Sequence, residues 1–415
     1  MVARQESWSR RADPVDVAIA GALAVIAFLV AWGVLHHGFY KRDRIVDTPV
    51  YRQYGDQIVD GRVPYRDVAL EYPPAALPVF VLPALGHPDQ RTYDRRFEVL
   101  MATCGAVMVA FLAVALNALG AGWRRAAGAL GFAALAPLAL GSLVLSRFDL
   151  WPAALTAAAL AALLAGRSRL GFAVLALGAA AKLYPALLLP PALAYVARRD
   201  GARAAAVCAS AFVAVAAACV LPFAVLSPGG VSDSFTRQAE RPLQLESLGA
   251  AFLLAAHQLA GVHLTVRTSS GSQNLVGHGA HELELALMVV QALAVLVIWI
   301  TFALGRATRE RLVAASAGSV AAFVAFGKVL SPQFLLWLVA LVPLVRGRRG
   351  LAATALLGVA LVLTQLWFPF RYWSLALDFA AFPSWLVVAR DLLLVGLFAV
   401  LAISLSRSER EPLRS

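Results

Sequence analysis

Three lysines and 33 arginines share this chain of 415 residues, so arginine is its default cation. Two of the lysines nevertheless lie inside apolar segments, each just before a proline-containing break: Lys182-Leu-Tyr184-Pro185 and Lys328-Val-Leu-Ser331-Pro332. An ammonium at membrane depth costs at least about 2.5 kcal/mol, so each needs a counter-charge, a ligand or a path to water. A lysine is a compact point charge suited to phosphate. With Arg147 in a similar turn, the pattern reads as an anion site at a membrane boundary. The plainer alternative is that each lysine snorkels to the interface. The acid that matters most is Asp47, just before Thr48-Pro49. Pro49 suits an early position in a helix running to about Asp60, which would make Asp47 an N-cap. A carboxylate fixed at the mouth of a membrane cavity is also a general base. The two roles coincide only in part, because capping lowers a carboxyl pKa.

Positioning such residues requires a membrane scaffold. The chain is 60% apolar and only 14% charged, with a mean hydropathy of +0.74. Many apolar runs reach about 20 residues, the thickness of a hydrocarbon core. Long continuous runs predict helices rather than a barrel, whose strands would alternate. The fold class expected is all-α and polytopic, with about 10 to 13 transmembrane and broken or re-entrant helices. The first run, Val15 to Leu35, is not closed by a small-residue cleavage site and reads as a retained span.

The net charge of +12 is no nucleic-acid footprint, because the arginines fall in short clusters between apolar runs. They are Arg4/Arg10/Arg11, Arg124/Arg125, Arg167/Arg169, Arg198/Arg199/Arg203, Arg306/Arg309/Arg311, Arg346/Arg348/Arg349 and the tail Arg407 to Arg414. The positive-inside rule puts them all in the cytosol. Residues 1–14 and 406–415 then form cytosolic ends, and 15–405 form one integral-membrane domain. Two segments fail as single spans. Tyr72–Leu85 is short and begins Tyr-Pro-Pro. Leu170–Val196 runs between two cytosolic clusters, yet its 27 residues are too few for two crossings. It must be broken near Lys182, which is tolerated where backbone lines a polar cavity.

In this threading the unusual residues collect on the outer side. The first outer loop, residues 36–71, carries Asp43, Asp47, Asp56, Asp60, Asp67 and Glu71 with Tyr51, Tyr54 and Tyr65. Later turns hold Arg147-Phe148-Asp149, the Lys182 bend, Gln238 to Ser247, Gly327 to Phe334 and Phe370 to Trp373. Cys104, Cys208 and Cys219 have neither disulfide nor metal spacing and read as small core residues. A transporter or lipid flippase would also use broken helices and intramembrane charge. It would need polar residues on both sides, and here they gather on one.

Several stretches in order resemble glycosyltransferase family 87. They are Asp47-Thr-Pro-Val-Tyr51, Gly61-Arg-Val-Pro64-Tyr65-Arg66-Asp67, Glu71-Tyr72-Pro73-Pro74, Arg147-Phe148-Asp149-Leu-Trp151-Pro152, Ala181-Lys182-Leu-Tyr184-Pro185, Arg241-Pro-Leu-Gln244-Leu-Glu246-Ser247 and Ser331-Pro332-Gln333-Phe334. The resemblance implies a GT-C fold in the plasma membrane. It implies a polyprenyl-phosphate sugar donor, and transfer to a glycolipid or glycan acceptor on the outer face. Mannose is the first expectation for the sugar and arabinofuranose the second. The family's early acidic residue maps onto Asp47, the expected base, with Asp67, Glu71 and Asp149 next in order. Lys182, Lys328 and Arg147 are expected on the donor phosphate. Tyr65, Asp67, Glu71, Tyr72, Asp149, Tyr184, Arg241, Glu246 and Gln333 are expected around the substrates. One base and a bound phosphate leaving group imply inversion. Neither a metal nor another cofactor is required, since cationic side chains can carry the charge.

Overall fold

The computed structural model describes residues 14–269, 271–277 and 279–407. The arginines at positions 4, 10 and 11, most of the cytosolic segment 1–14 and the tail beyond 407 lie outside the described residues. The helices are α1 (Pro14–Val34), α2 (Thr48–Val59), α3 (Leu77–Ala84), α4 (Gln90–Ala118), α5 (Trp123–Leu140), α6 (Leu150–Leu164), α7 (Ser168–Ala181), α8 (Leu189–Asp200) and α9 (Ala202–Leu226). They continue as α10 (Pro228–Ala239), α11 (Leu248–Ala260), α12 (Ala280–Leu304), α13 (Arg309–Ala325), α14 (Leu335–Val339), α15 (Gly347–Trp367), α16 (Tyr372–Asp378) and α17 (Ala381–Arg407). An antiparallel hairpin, β1 (Thr265–Ser269) and β2 (Ser272–Val276), was not foreseen.

Among the described residues, seven helices are long and apolar enough to cross a membrane: α1, α4, α5 with its 3₁₀ extension, α9, α12, α15 and α17. Their outward faces are apolar. Only 6% of the most apolar stretch of α9 is buried, a surface that is stable against lipid and not against water. This is an all-α polytopic membrane protein. Its centre is built from α6, α13 and α14, whose side chains are nearly all buried. Small residues allow the close approach expected where lipid gives no hydrophobic drive between helices. A Cβ on Gly105 would enter the ring of Phe28, and one on Gly21 would meet Ala113.

Both exceptional segments are short or broken. Residues 74–84 form a 3₁₀ turn followed by the two-turn α3. Helix α7 stops at Lys182, whose backbone is extended, and the chain resumes as a 3₁₀ stretch, Tyr184–Leu188, before α8. Pro185 lacks the N–H that would continue α7 and disfavours helix at Tyr184. Chain direction therefore places the arginine clusters at 124–125, 167–169, 198–203, 306–311 and 346–349 at one end of the bundle, while Arg91, Arg95 and Arg96 open α4 at the other. Asp47, Arg147, Lys182, Arg241 and Lys328 lie toward the opposite end.

Candidate active site

At that opposite end, acid and cation meet in pairs. Asp47 occupies the position before α2, and its backbone carbonyl accepts the amides of Val50 and Tyr51. Its side chain makes no capping bond. Instead, Oδ2 forms an ion pair with Arg147 Nη1 and accepts the Tyr51 hydroxyl at 3.3 Å. The carboxylate is thus free of the helix and aimed at a cation.

Arg147 arrives from a different part of the fold. Helix α5 ends at Gly141, at φ +81°, where a Cβ would collide with the Gln365 amide. A 3₁₀ stretch, Gly141–Leu145, then carries the chain to Ser146 and the buried Arg147. Asp149, two residues on and fully buried, is spoken for. Its Oδ1 accepts Lys182 Nζ at 2.6 Å and Trp337 Nε1 at 2.8 Å, while Oδ2 has no partner. The ammonium of Lys182 also lies 4.7 Å from the ring of Phe148, 5.1 Å from Trp337 and 5.3 Å from Phe334. A carboxylate and three ring faces are what an ammonium needs to stay charged away from water. Tyr184 stacks flat on Trp337 with centroids 4.2 Å apart, and its hydroxyl meets Thr156 Oγ1 at 3.0 Å.

Phe148 joins the two pairs. Its other side packs edge-on against Tyr51, Tyr72 and Phe80. Burial drives the Tyr51 and Tyr72 phenols above their ordinary value, so both are hydrogen-bond donors at neutral pH. The Glu71 backbone carbonyl accepts Gln238 Nε2 at 3.1 Å, and its carboxylate lies near the hydroxyls of Tyr54 and Tyr72. Tyr65, at φ +66°, fastens the first loop: its hydroxyl donates to the Tyr72 carbonyl at 2.7 Å, and its own carbonyl accepts Ser227 Oγ at 3.1 Å. Asp67 faces solvent, where Arg66 and the Val63 amide hold its carboxyl down to about 2.

The segment 241–247 closes the far side. Arg241 donates to Ser272 Oγ at 3.1 Å. Glu246 is buried with Oε2 unpartnered, and burial pushes its carboxyl up to about 7. Arg147, Arg241 and Arg390 all lie within electrostatic reach of it. Lys328 shares no partner with Lys182. It donates to Glu284 Oε1 at 2.7 Å and to the Ala239 carbonyl at 2.8 Å. Its own carbonyl accepts the Gln244 amide. Gln333 lies in the 3₁₀ turn Pro332–Phe334 below it. Among the described residues no group of three or more His, Cys, Asp or Glu is placed to hold a metal ion.

The model of glycosyltransferase family 87 matches residues 70–332, more than half of the chain. The chain belongs to glycosyltransferase family 87. A comparison with curated proteins gave no match. The region matched contains Glu71, Tyr72, Arg147, Asp149, Lys182, Tyr184, Arg241, Glu246 and Lys328, whereas Asp47, Tyr65, Asp67 and Gln333 fall outside it. What joins Asp47 to the family region is therefore spatial: its contact with Arg147.

Several residues of this family 87 site escaped the sequence reading. Trp337 orients Asp149 and covers Lys182, but tryptophan in an apolar run is an ordinary lipid-facing or core residue. Glu284, the partner of Lys328, sits one turn into α12. Arg390 and Asp391 form a buried pair in α17, and Arg390 Nη2 donates to the Glu246 carbonyl at 2.7 Å. That pair had a visible signal, since adjacent opposite charges in a membrane span are costly unless used.

Proposed function

We infer that this glycosyltransferase moves a sugar from a polyprenyl-phosphate donor to the hydroxyl of a glycolipid or glycan acceptor. The observation that carries the reading is the Asp47–Arg147 contact. A carboxylate free of capping duty meets a buried cation, with the Asp149–Lys182 pair one aromatic ring away. Such a donor has one phosphodiester charge and a tail that must lie in the bilayer, so its phosphate sits near a membrane boundary. The acceptor oxygen attacks the sugar C1, and the bond from C1 to the phosphate oxygen breaks. The acceptor proton passes to Asp47, and polyprenyl phosphate leaves with one more negative charge than the donor bore. Arg147 and Lys182 stabilise that added charge, and Lys328 contributes from the rim. A single displacement inverts C1. Asp149 keeps Lys182 charged and oriented, while Tyr72, Tyr184, Arg241, Glu246 and Gln333 are assigned to sugar and acceptor. The sugar is mannose by preference, with arabinofuranose second. The scaffold is a GT-C bundle in the plasma membrane with this site facing outward.

The test uses purified protein with a lipid acceptor and a matched set of donors. Polyprenyl-phosphomannose should support transfer and a nucleotide-mannose should not; turnover with the nucleotide sugar alone would overturn the donor class. Orientation is checked in intact cells with an impermeant thiol reagent. Asp60→Cys should be labelled and Arg348→Cys should not, and the reverse would put the site on the cytosolic face.

A further inference from the structure

The state of Asp47 presents a difficulty for its role as base. A carboxylate in direct contact with a guanidinium is held in its charged form and is a poor proton acceptor. It also occupies a cation that the phosphate requires. Their exposures show which group lies on the open side. The Arg147 side chain is 8% accessible and that of Asp47 is 32%. Asp47 therefore covers Arg147 from the side a ligand can reach. Beneath it, Arg147 Nε has no partner, and Asp149, Lys182 and Glu246 are already engaged or buried.

We propose that Asp47 and the donor phosphate compete for Arg147, so that donor binding itself unveils the base. This rests on the phosphate-donor reading above. In the empty enzyme Asp47 neutralises Arg147. An arriving phosphate takes the guanidinium, and Asp47 keeps only the Tyr51 hydroxyl. Its carboxylate, no longer paired with a cation, becomes basic enough to receive the acceptor proton. The same exchange runs backward after transfer. Asp47, once it has given its proton to water, competes again for Arg147 and helps to expel the polyprenyl phosphate. Hydrolysis of the donor by stray water is restrained as well, because the base is masked until the phosphate is seated.

Competition has a signature that a plain base does not have. Apparent affinity is intrinsic affinity scaled by the fraction of competent sites, so removing the competitor tightens binding. Coupling between groups in contact is commonly fivefold or more. The measurement is binding of a polyprenyl monophosphate, and of the matching polyprenol, to the full chain in detergent. Wild type, Asp47→Asn, Asp47→Ser, Arg147→Gln and the double variant Asp47→Asn/Arg147→Gln are compared, each checked for a monodisperse elution profile. Both Asp47 variants should bind the monophosphate at least about fivefold more tightly than wild type while losing transfer. The serine variant guards against a folding failure special to asparagine. Arg147→Gln should weaken binding, and in its background Asp47→Asn should change nothing. Wild type that prefers monophosphate to polyprenol, with no tightening in either Asp47 variant, overturns the competition and leaves the donor reading intact. Equal binding of monophosphate and polyprenol by wild type overturns both.

Discussion

Lys182 and Lys328 are near twins in the sequence. Each is a rare lysine, each ends an apolar segment and each precedes a proline break. Their surroundings differ in kind. Lys182 is held by a fully buried carboxylate and three aromatic faces, one ring away from the Asp47–Arg147 contact. Lys328 is held by Glu284 and a backbone carbonyl at the end of α10, tying the 241–247 segment to α12 and α13. Rarity and local pattern mark a lysine as costly. Only its partners distinguish a charge placed for chemistry from one that joins elements.

The largest effect should come from the acid beside the first lysine's cluster. Asp47→Asn keeps the size of the side chain and, because Asp47 does not cap α2, should leave that helix unchanged. A positioned base is worth roughly 100- to 10,000-fold in rate. Transfer by the purified variant should fall by that much with a near-normal folded yield. Activity close to wild type would move the role to Asp67, Glu71 or Asp149. Of these, Asp149 is engaged by Lys182 and Trp337, and Asp67 is exposed and held by Arg66.

The next effect separates the lysines directly. Breaking a buried ion pair by removing one partner costs about 3–5 kcal/mol, because the other charge stays buried. Lys182→Met strands the fully buried Asp149, whereas Asp149→Asn leaves an ammonium that is 17% accessible and can turn to water. Lys182→Met should lower the melting temperature markedly, and Asp149→Asn by less. The double variant Lys182→Met/Asp149→Asn should recover stability, since no unpaired charge remains, yet it should not recover transfer. Recovery of both stability and activity would make the pair purely structural.

How much of this was legible can be judged from these residues. The membrane class, the broken segment at Lys182 and the gathering of charge at one end follow from hydropathy, arginine placement and proline, all of which act locally. The partners did not follow. Asp149 to Lys182 spans 33 positions and Asp149 to Trp337 spans 188, and such pairings are decided by which helices pack together. Hydropathy cannot rank those packings, because α6, α7 and α14 are apolar on nearly every face. The short loop helix and Asp47 at its N-cap position were foreseen nearly to the residue, but the side-chain capping bond does not form. Asp47 stands at the capping position, and a stronger electrostatic partner from a distant turn draws its carboxylate away.

Glu246 offers a smaller effect with a definite sign. Burial raises its folded-state carboxyl from an ordinary 4.5 to about 7. The folded state therefore holds a proton that the unfolded state releases near its ordinary value. By linkage the contribution to stability is greatest below about 4.5 and is lost as the pH rises toward about 7. Thermal unfolding in detergent between these limits should show wild type losing stability with rising pH relative to Glu246→Gln. Parallel profiles for the two proteins would mean that Arg147, Arg241 and Arg390 keep Glu246 charged throughout.

The smallest effect should fall on the second lysine. The lysines themselves are similarly accessible, but the carboxylate that Lys328→Met strands, Glu284, is 16% accessible against 1% for Asp149. Water can therefore reach Glu284 when Lys328 is removed, as it cannot reach Asp149. A pair in that position contributes less than a fully buried one, toward the range of about 0–1 kcal/mol seen at surfaces. Lys328→Met should thus lower stability only slightly. Its effect on transfer should be a few-fold, through loss of a rim charge and of the Nζ bond to the Ala239 carbonyl just before the 241–247 segment. Glu284→Gln keeps the Lys328 bond to Ala239 and should do less still. The contrast with Lys182→Met can be read in one experiment: donor titrations of both methionine variants beside wild type. If Lys328→Met weakens donor phosphate binding as strongly as Lys182→Met does, the distinction drawn from their partners is wrong. The two lysines would then share one phosphate, which requires the 241–247 segment to move inward when the donor binds.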